Sequence, residues 1–123
     1  MSFKTLMIMK AVVCLMFGVL LVFFPRWLLG LMGASLDAAG TYPAREYGAA
    51  LFGTLMLTWF ARGAGSSDAR RPILLDLLVY DAIGFVVTTL TVLSGVLNWL
   101  GWGIVAVYAF FTAGSAYLLA RKT

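Results

Sequence analysis

The sequence predicts an all-α protein, an antiparallel bundle of four transmembrane helices, and three observations carry this prediction. Of its 123 residues, 63% are hydrophobic and 11% are charged, whereas a soluble domain carries roughly 25% charged residues. The apolar residues gather in stretches close to the ~20 residues that a membrane-spanning helix needs. The Lys and Arg residues gather near the ends of these stretches, as expected for cations that stay in the headgroup layers.

One integral membrane domain, residues 1–123, is predicted to contain four spans, at residues 5–24, 44–61, 72–93 and 99–120. The first apolar run is longer than the ~7–15-residue core of a secretory signal, so we expect it to be a retained span. Pro72 suits the first position of the third helix, where a backbone N–H has no partner.

The first connection, which follows Phe24, is predicted to contain two parts. Residues 25–33 place apolar side chains on one helical face, which is typical of a short helix lying in the membrane interface. Residues 34–42 are rich in small residues and are predicted to form a loop.

The distribution of cations predicts the orientation of the chain. One side holds seven cations, Lys4, Lys10, Arg62, Arg70, Arg71, Arg121 and Lys122. The other side holds only Arg26 and Arg45. We therefore expect a multi-pass protein of the bacterial inner (cytoplasmic) membrane, with the N- and C-termini both cytoplasmic.

Two carboxylates, Asp76 and Asp81, lie inside the third predicted span. By helix rise, Asp81 is about 14 Å beyond Pro72, near the middle of a ~30 Å hydrocarbon core. An ionisable group at that depth costs at least ~2.5 kcal/mol by insertion scales. On a helical wheel both aspartates fall, with most polar and small residues of the span, within about 140° of arc. This face is expected to meet protein or water, and the opposite face lipid.

Two interpretations of Asp81 stay open. It is either a neutral or hydrogen-bonded structural carboxyl, or a functional group that binds a proton, a cation or a ligand. In the functional interpretation, a path or ligand site is lined by Asp81, Asp76, Tyr80, Thr88 and Thr91. The glycines and threonines of this face are also what ordinary helix contacts in membranes use.

Three residues are predicted charge partners, Lys10, Arg45 and Glu46. The leading hypothesis is a Lys10–Asp76 pair, because both side chains lie at similar depth; the alternative is that Lys10 extends to the interface. Asp81 could be reached by Lys10 from one side or by Arg45 from the other.

The start of the second span allows two interpretations as well. Glu46 can meet the positive end of its helix dipole while Arg45 extends outward, or Arg45 can hold an anionic headgroup or an acid. Ala49 and Gly53 follow on one stripe and predict a small-residue helix contact.

Several kinds of chemistry are excluded by composition. There is no histidine, so His-ligated haem or zinc and His-based catalysis cannot occur. The single cysteine, Cys14, cannot form an intramolecular disulfide or a multi-cysteine metal site. The cations do not form a patch suited to nucleic acid. We expect no catalytic residue, no metal, no cofactor and no enzyme activity.

The chain resembles the small four-span bacterial membrane proteins of the DoxX-like kind. The resemblance rests on Phe24-Pro25, on the run 44–53, on Trp59-Phe60-Ala61-Arg62 and on the turn 97–102. It implies a four-helix membrane bundle and no defined activity. The Arg45-Glu46-Tyr47-Gly48 element is similar, more weakly, to small four-span scaffold proteins of sterol synthesis, which tether enzymes.

The expected function is non-enzymatic: an accessory or scaffold subunit, or a bundle that binds membrane lipid. Its expected partners are lipid, other membrane subunits or further copies of the chain, and no nucleic acid. The alternative is a small oligomeric transporter or channel, coupled to protons or cations through Asp81. A third class, a subunit acting on lipids or quinones, requires a partner chain to supply the chemistry.

Overall fold

A computed structural model describes residues 1–121, which form five α-helices: α1 (Phe3–Phe23), α2 (Pro25–Leu31), α3 (Ala38–Ala61), α4 (Ser67–Leu93) and α5 (Gly101–Ala120). The predicted all-α class is confirmed, and residues 1–121 contain no strand. Lys122, one of the cations in the orientation argument, lies outside the described residues.

Three helices within this range, α1, α4 and α5, are long and apolar enough to cross a membrane. α3 has 24 residues but is more polar, since it includes Arg45, Glu46 and several threonines. The predicted short helix after the first span is confirmed as α2, with Pro25 at its start.

Two predicted helix starts were wrong, because side-chain caps begin each helix earlier. Ser66 caps α4 by accepting a hydrogen bond from the backbone N–H of Ala69 at 3.2 Å, so Pro72 lies inside the helix rather than at its start. Asp37 caps α3 through the N–H of Gly40 at 2.7 Å, so residues 38–42 are helical rather than a loop. Such caps stabilise a helix start by about 0.5–2 kcal/mol.

The helices pack as two antiparallel pairs, α1 with α3 and α4 with α5, and contacts between the pairs are sparser. α1 and α3 approach most closely where Gly18 faces Gly48. A Cβ on Gly48 would lie 2.9 Å from the backbone nitrogen of Val22, so this crossing requires glycine. Within residues 1–121 no helix packs on the predicted Ala49–Gly53 stripe, since Ala49 is exposed and a Cβ on Gly53 would touch nothing within 4 Å.

The helices of the second pair, α4 and α5, also approach each other closely. A Cβ on Gly84 would overlap the ring of Tyr108, so the tyrosine ring of α5 lies directly on the backbone of α4. The turn between these helices contains Gly95 at φ +85°, a conformation that glycine adopts at little cost.

Two groups of buried side chains occupy opposite halves of the bundle. One combines α1, α4 and α5, and consists of Phe3, Leu6, Met7, Leu74, Leu77, Phe111 and Leu118. The other combines α1 and α3, and consists of Cys14, Leu21 and Leu51. Lys10 of α1 lies between Met7 of the first group and Cys14 of the second, so a cation separates the two apolar halves.

Gly48→Ala should destabilise the α1–α3 pair, because the added methyl group meets backbone that cannot move independently. We expect a loss of about 1–3 kcal/mol in the free energy of unfolding, the usual range for overpacking. Gly53→Ala, on the same helix with open space around it, is the matched control and should be unchanged or more stable. Thermal unfolding followed by circular dichroism measures both. Equal effects of the two substitutions would contradict the assigned crossing.

Candidate functional site

A buried ion pair joins the two helix pairs. Lys10 Nζ of α1 lies 2.6 Å from Asp81 Oδ1 of α4, and the two side chains are only 3% and 0% exposed. It is the one ion pair found within residues 1–121. Each charge compensates the other, which is the condition under which such groups are tolerated away from water.

Aromatic rings complete the surroundings of the ammonium group. Lys10 Nζ lies 4.5 Å from the ring centroid of Tyr80 and 4.6 Å from that of Phe111, both within the range of cation–π attraction. The second carboxylate oxygen of Asp81 is buried and has no hydrogen-bond partner within residues 1–121. The ion pair is thus held on the Lys10 side by several contacts and on the Asp81 side by one.

The structure corrects the predicted partner of Lys10. Lys10 pairs with Asp81 and not with Asp76, and it is 2% exposed, so it does not extend to the interface. Asp76 is exposed, on the side of α4 that carries Val79 and Ile83. The physical reason is rotation: five residues on a helix turn a side chain by about 140°, so the two aspartates cannot face the same neighbour.

The other predicted charge partners stay apart from this site. Arg45 and Glu46 are both exposed on α3, and neither forms an ion pair with any residue in the range 1–121. Of the two cations that the sequence allowed for Asp81, the structure therefore places Lys10 beside it and not Arg45.

Three tyrosines meet beside the ion pair, one from each of α3, α4 and α5. The hydroxyl of Tyr47 is hydrogen-bonded to that of Tyr80 at 2.6 Å and also to that of Tyr108. The rings of Tyr80 and Tyr108 meet edge to face, with centroids 6.1 Å apart. Tyr47 therefore reaches from one helix pair to the other, and we call these three side chains the phenol cluster.

A cavity of about 310 Å³ lies next to the phenol cluster, between the two helix pairs. Its polar lining consists of Lys10, Cys14, Tyr47, Tyr80, Thr88 and Tyr108, and the rest is apolar. Leu28 and Leu29 of α2, with Met32 and Leu36 of the following loop, form part of its wall. The short helix α2 thus helps to enclose the cavity.

The predicted site residues divide into three groups. Tyr80 and Thr88 line the cavity, and Asp81 lies behind it, bonded to the cavity-lining Lys10. Thr91 donates a hydrogen bond to the backbone carbonyl of Val87 at 2.8 Å and is not part of the lining. Asp76 is not brought to the site.

Sequence reasoning missed the phenol cluster. Tyr47 entered only through the Arg45-Glu46-Tyr47-Gly48 element, and Tyr108 was not singled out as a site residue. The signal that could have found them is the occurrence of at least one tyrosine in each of three apolar stretches. A buried phenol hydroxyl usually finds a polar partner, so three such residues predict contact with one another.

The cluster is not a metal centre of the common kind. Residues 1–121 contain no group of three or more His, Cys, Asp or Glu side chains placed to hold an ion. What the arrangement offers is an apolar enclosure with hydroxyl donors at one side and a compensated charge pair behind them.

The model of the family described as Domain of unknown function (DUF8292) matches residues 1–121, so the chain belongs to this family. Comparison with curated proteins and with solved structures gives no match.

Asp81→Asn should strongly destabilise the protein, because it leaves the buried Lys10 charge without its counter-charge. Breaking a buried pair on one side costs about 3–5 kcal/mol. Lys10→Met in addition should restore much of the loss, since both charges are then gone. Denaturant titration in detergent gives the four free energies of the double-mutant cycle.

Asp76→Asn is the matched control for this cycle. It removes a carboxylate from the same helix, but an exposed one without an ion pair in residues 1–121, so we expect a change within about 0.5 kcal/mol. A double variant no more stable than Asp81→Asn alone would contradict the assigned pairing.

Proposed function

We propose that this family member is a non-enzymatic integral membrane bundle that takes up an apolar molecule from the surrounding lipid. The observation that carries the proposal is the cavity of about 310 Å³ with its largely apolar wall. Ligand sites in proteins are concave, mostly apolar and furnished with a few convergent polar groups. The phenol cluster supplies such groups here.

The size of the cavity fits a small ligand or part of a larger one. An engineered cavity of about 150 Å³ holds one benzene molecule, and this cavity has about twice that volume. It therefore suits roughly a dozen non-hydrogen atoms, by proportion to the benzene case. An alkyl chain or a substituted ring of that size partitions into membranes, so the bilayer itself is the proposed source.

We further propose that α3 is the fourth span. It runs antiparallel to α1 and packs along it through Gly18 and Gly48, so a spanning α1 places α3 at the same depth. At 1.5 Å per residue, its 24 residues extend about 36 Å. The distribution of cations supports the bacterial inner membrane with both termini cytoplasmic.

A scaffold role is the second part of this proposal. Exposed apolar side chains, among them Val79, Ile83, Val86 and Leu90 of α4, offer surface to lipid, to other membrane subunits or to further copies of the chain. The resemblance to DoxX-like proteins and to sterol-synthesis scaffolds stays a prediction.

Transport coupled to Asp81 is the weaker alternative. One observation favours it, the buried second oxygen of Asp81, which has no partner within residues 1–121. Two observations weigh against it: the other oxygen is bonded to Lys10, and the side chain is fully buried. A carboxylate in this state is already neutralised, which leaves little attraction for a second cation.

Ala44→Phe should abolish ligand binding, because Ala44 lines the cavity and the larger side chain would occupy it. The probe is 2-undecanone, and the measurement is its effect on the thermal unfolding of the protein in lipid nanodiscs. A ligand at one hundred times its Kd stabilises the folded state by about 2.7 kcal/mol. We expect this stabilisation for the unmodified protein and not for Ala44→Phe.

Ala49→Phe is the matched control, because Ala49 lies on the same helix but is exposed and does not line the cavity. It should respond to the probe as the unmodified protein does. If all three proteins respond equally, the probe acts through the bilayer, and the proposed function fails.

A further inference from the structure

The phenol cluster holds one more O–H donor than the two hydrogen bonds on Tyr47 use. Each tyrosine hydroxyl carries one proton, so the cluster has three. Two hydrogen bonds join the three oxygens, Tyr47 to Tyr80 and Tyr47 to Tyr108, and each uses one proton. These two bonds therefore leave one O–H over, in side chains that all line the cavity.

The charge of the cavity wall is already balanced. Among the described residues, Lys10 is the one charged side chain in the lining, and Asp81 compensates it from behind at 2.6 Å. A ligand with an ionised head would bring a charge without a counter-charge into a half-open, mostly apolar cavity, which is unfavourable. An uncharged head incurs no such penalty.

From these two observations we propose that the cavity selects an uncharged apolar molecule carrying a hydrogen-bond-accepting oxygen, which receives the spare proton of the phenol cluster. Ketones, quinone-like rings, esters and ethers belong to this class, whereas fatty acids in their ionised form and plain hydrocarbons do not. The inference rests on the proposed binding function and adds to it the chemistry of the ligand's head.

The position of the cluster supports this assignment. Tyr80 and Tyr108 lie at the same level as the ion pair, since Lys10 Nζ lies 4.5 Å from the Tyr80 ring. The part of the wall made by Leu28, Leu29 and Leu36 is apolar. The head of the ligand is therefore placed against the phenols, and its hydrocarbon part against α2 and the loop that follows it.

Three probes of matched length test the proposal: undecane, 2-undecanone and undecanoate. We expect the ketone to bind about threefold to tenfold more tightly than the alkane, the contribution of one hydrogen bond. The ionised acid should bind more weakly than the ketone. Affinities are measured by competition with a deuterated ketone in nanodiscs. Equal binding of ketone and alkane, or tighter binding of undecanoate, would overturn the proposal.

The donor is identified with the variant Tyr47→Phe/Tyr80→Phe/Tyr108→Phe, which keeps the rings and removes all three protons. We expect the ratio of ketone affinity to undecane affinity to fall to about one in this variant, whatever its affinity for undecane, because the donor is gone. The variant Tyr42→Phe is the control, because Tyr42 is 67% exposed and does not line the cavity. If the triple variant keeps the preference, the donor is another group, and the role of the phenols is refuted.

A spectroscopic measurement on the unmodified protein covers the case in which the triple variant does not fold. The ¹³C-labelled carbonyl of bound 2-undecanone should absorb at lower infrared frequency than the same ketone in lipid alone, as a hydrogen-bonded carbonyl does. An unshifted band with the ketone bound would refute the inference but leave the proposed function intact. Failure of all three probes to bind would refute both.

Discussion

The buried pair of Lys10 and Asp81 is the contact on which the arrangement of the bundle depends. Within each helix pair, glycine contacts bring backbones together, as at Gly18 and Gly48. Between the pairs such close packing is sparse. In lipid there is no hydrophobic force to drive helices together, so packing and polar contacts must do so. Separating the two charges of this ion pair is strongly unfavourable, because it would expose both of them to hydrocarbon.

Other polar contacts between the two helix pairs occur at both ends of the bundle. At one end, the guanidinium of Arg70 lies 5.0 Å from the ring of Phe3, and Arg121 donates a hydrogen bond to the carbonyl of Met1 at 3.2 Å. At the other end, Asn98 donates to the carbonyls of Leu31 and Met32. The ion pair and Tyr47 lie between these ends. The two pairs are thus joined at several points and need not pack closely at every level.

This arrangement explains how so small a bundle contains a cavity. The apolar group around Leu6 and Leu77 fills the half of the interior on one side of the ion pair. On the other side, the space between the pairs is bounded by α2, the loop that follows it and the phenol cluster. The groups that hold the pairs together therefore also form one wall of the cavity. Structure and the proposed recognition of a ligand's head depend on the same few side chains.

The sequence by itself determined the all-α class of the protein and the apolar character of its long helices. Long apolar stretches with cations at their ends can be stable only as helices in a membrane, because the bilayer leaves no other way to satisfy the backbone. Counting residues at a fixed rise indicated that Lys10 lies near the aspartates of α4, but it favoured Asp76 as the partner. The short helix α2 followed equally from a local pattern.

Only the tertiary structure decided which aspartate Lys10 meets and what lies beside it. Depth favoured Asp76, but the choice of Asp81 depends on how α4 is rotated against α1. That rotation is set by the packing of whole faces, including Leu74 and Leu77 against Leu6 and Met7. The meeting of Tyr47, Tyr80 and Tyr108 has the same origin, because it joins three helices that are distant in sequence. Such contacts are the result of many packing interactions at once, and no local pattern encodes them.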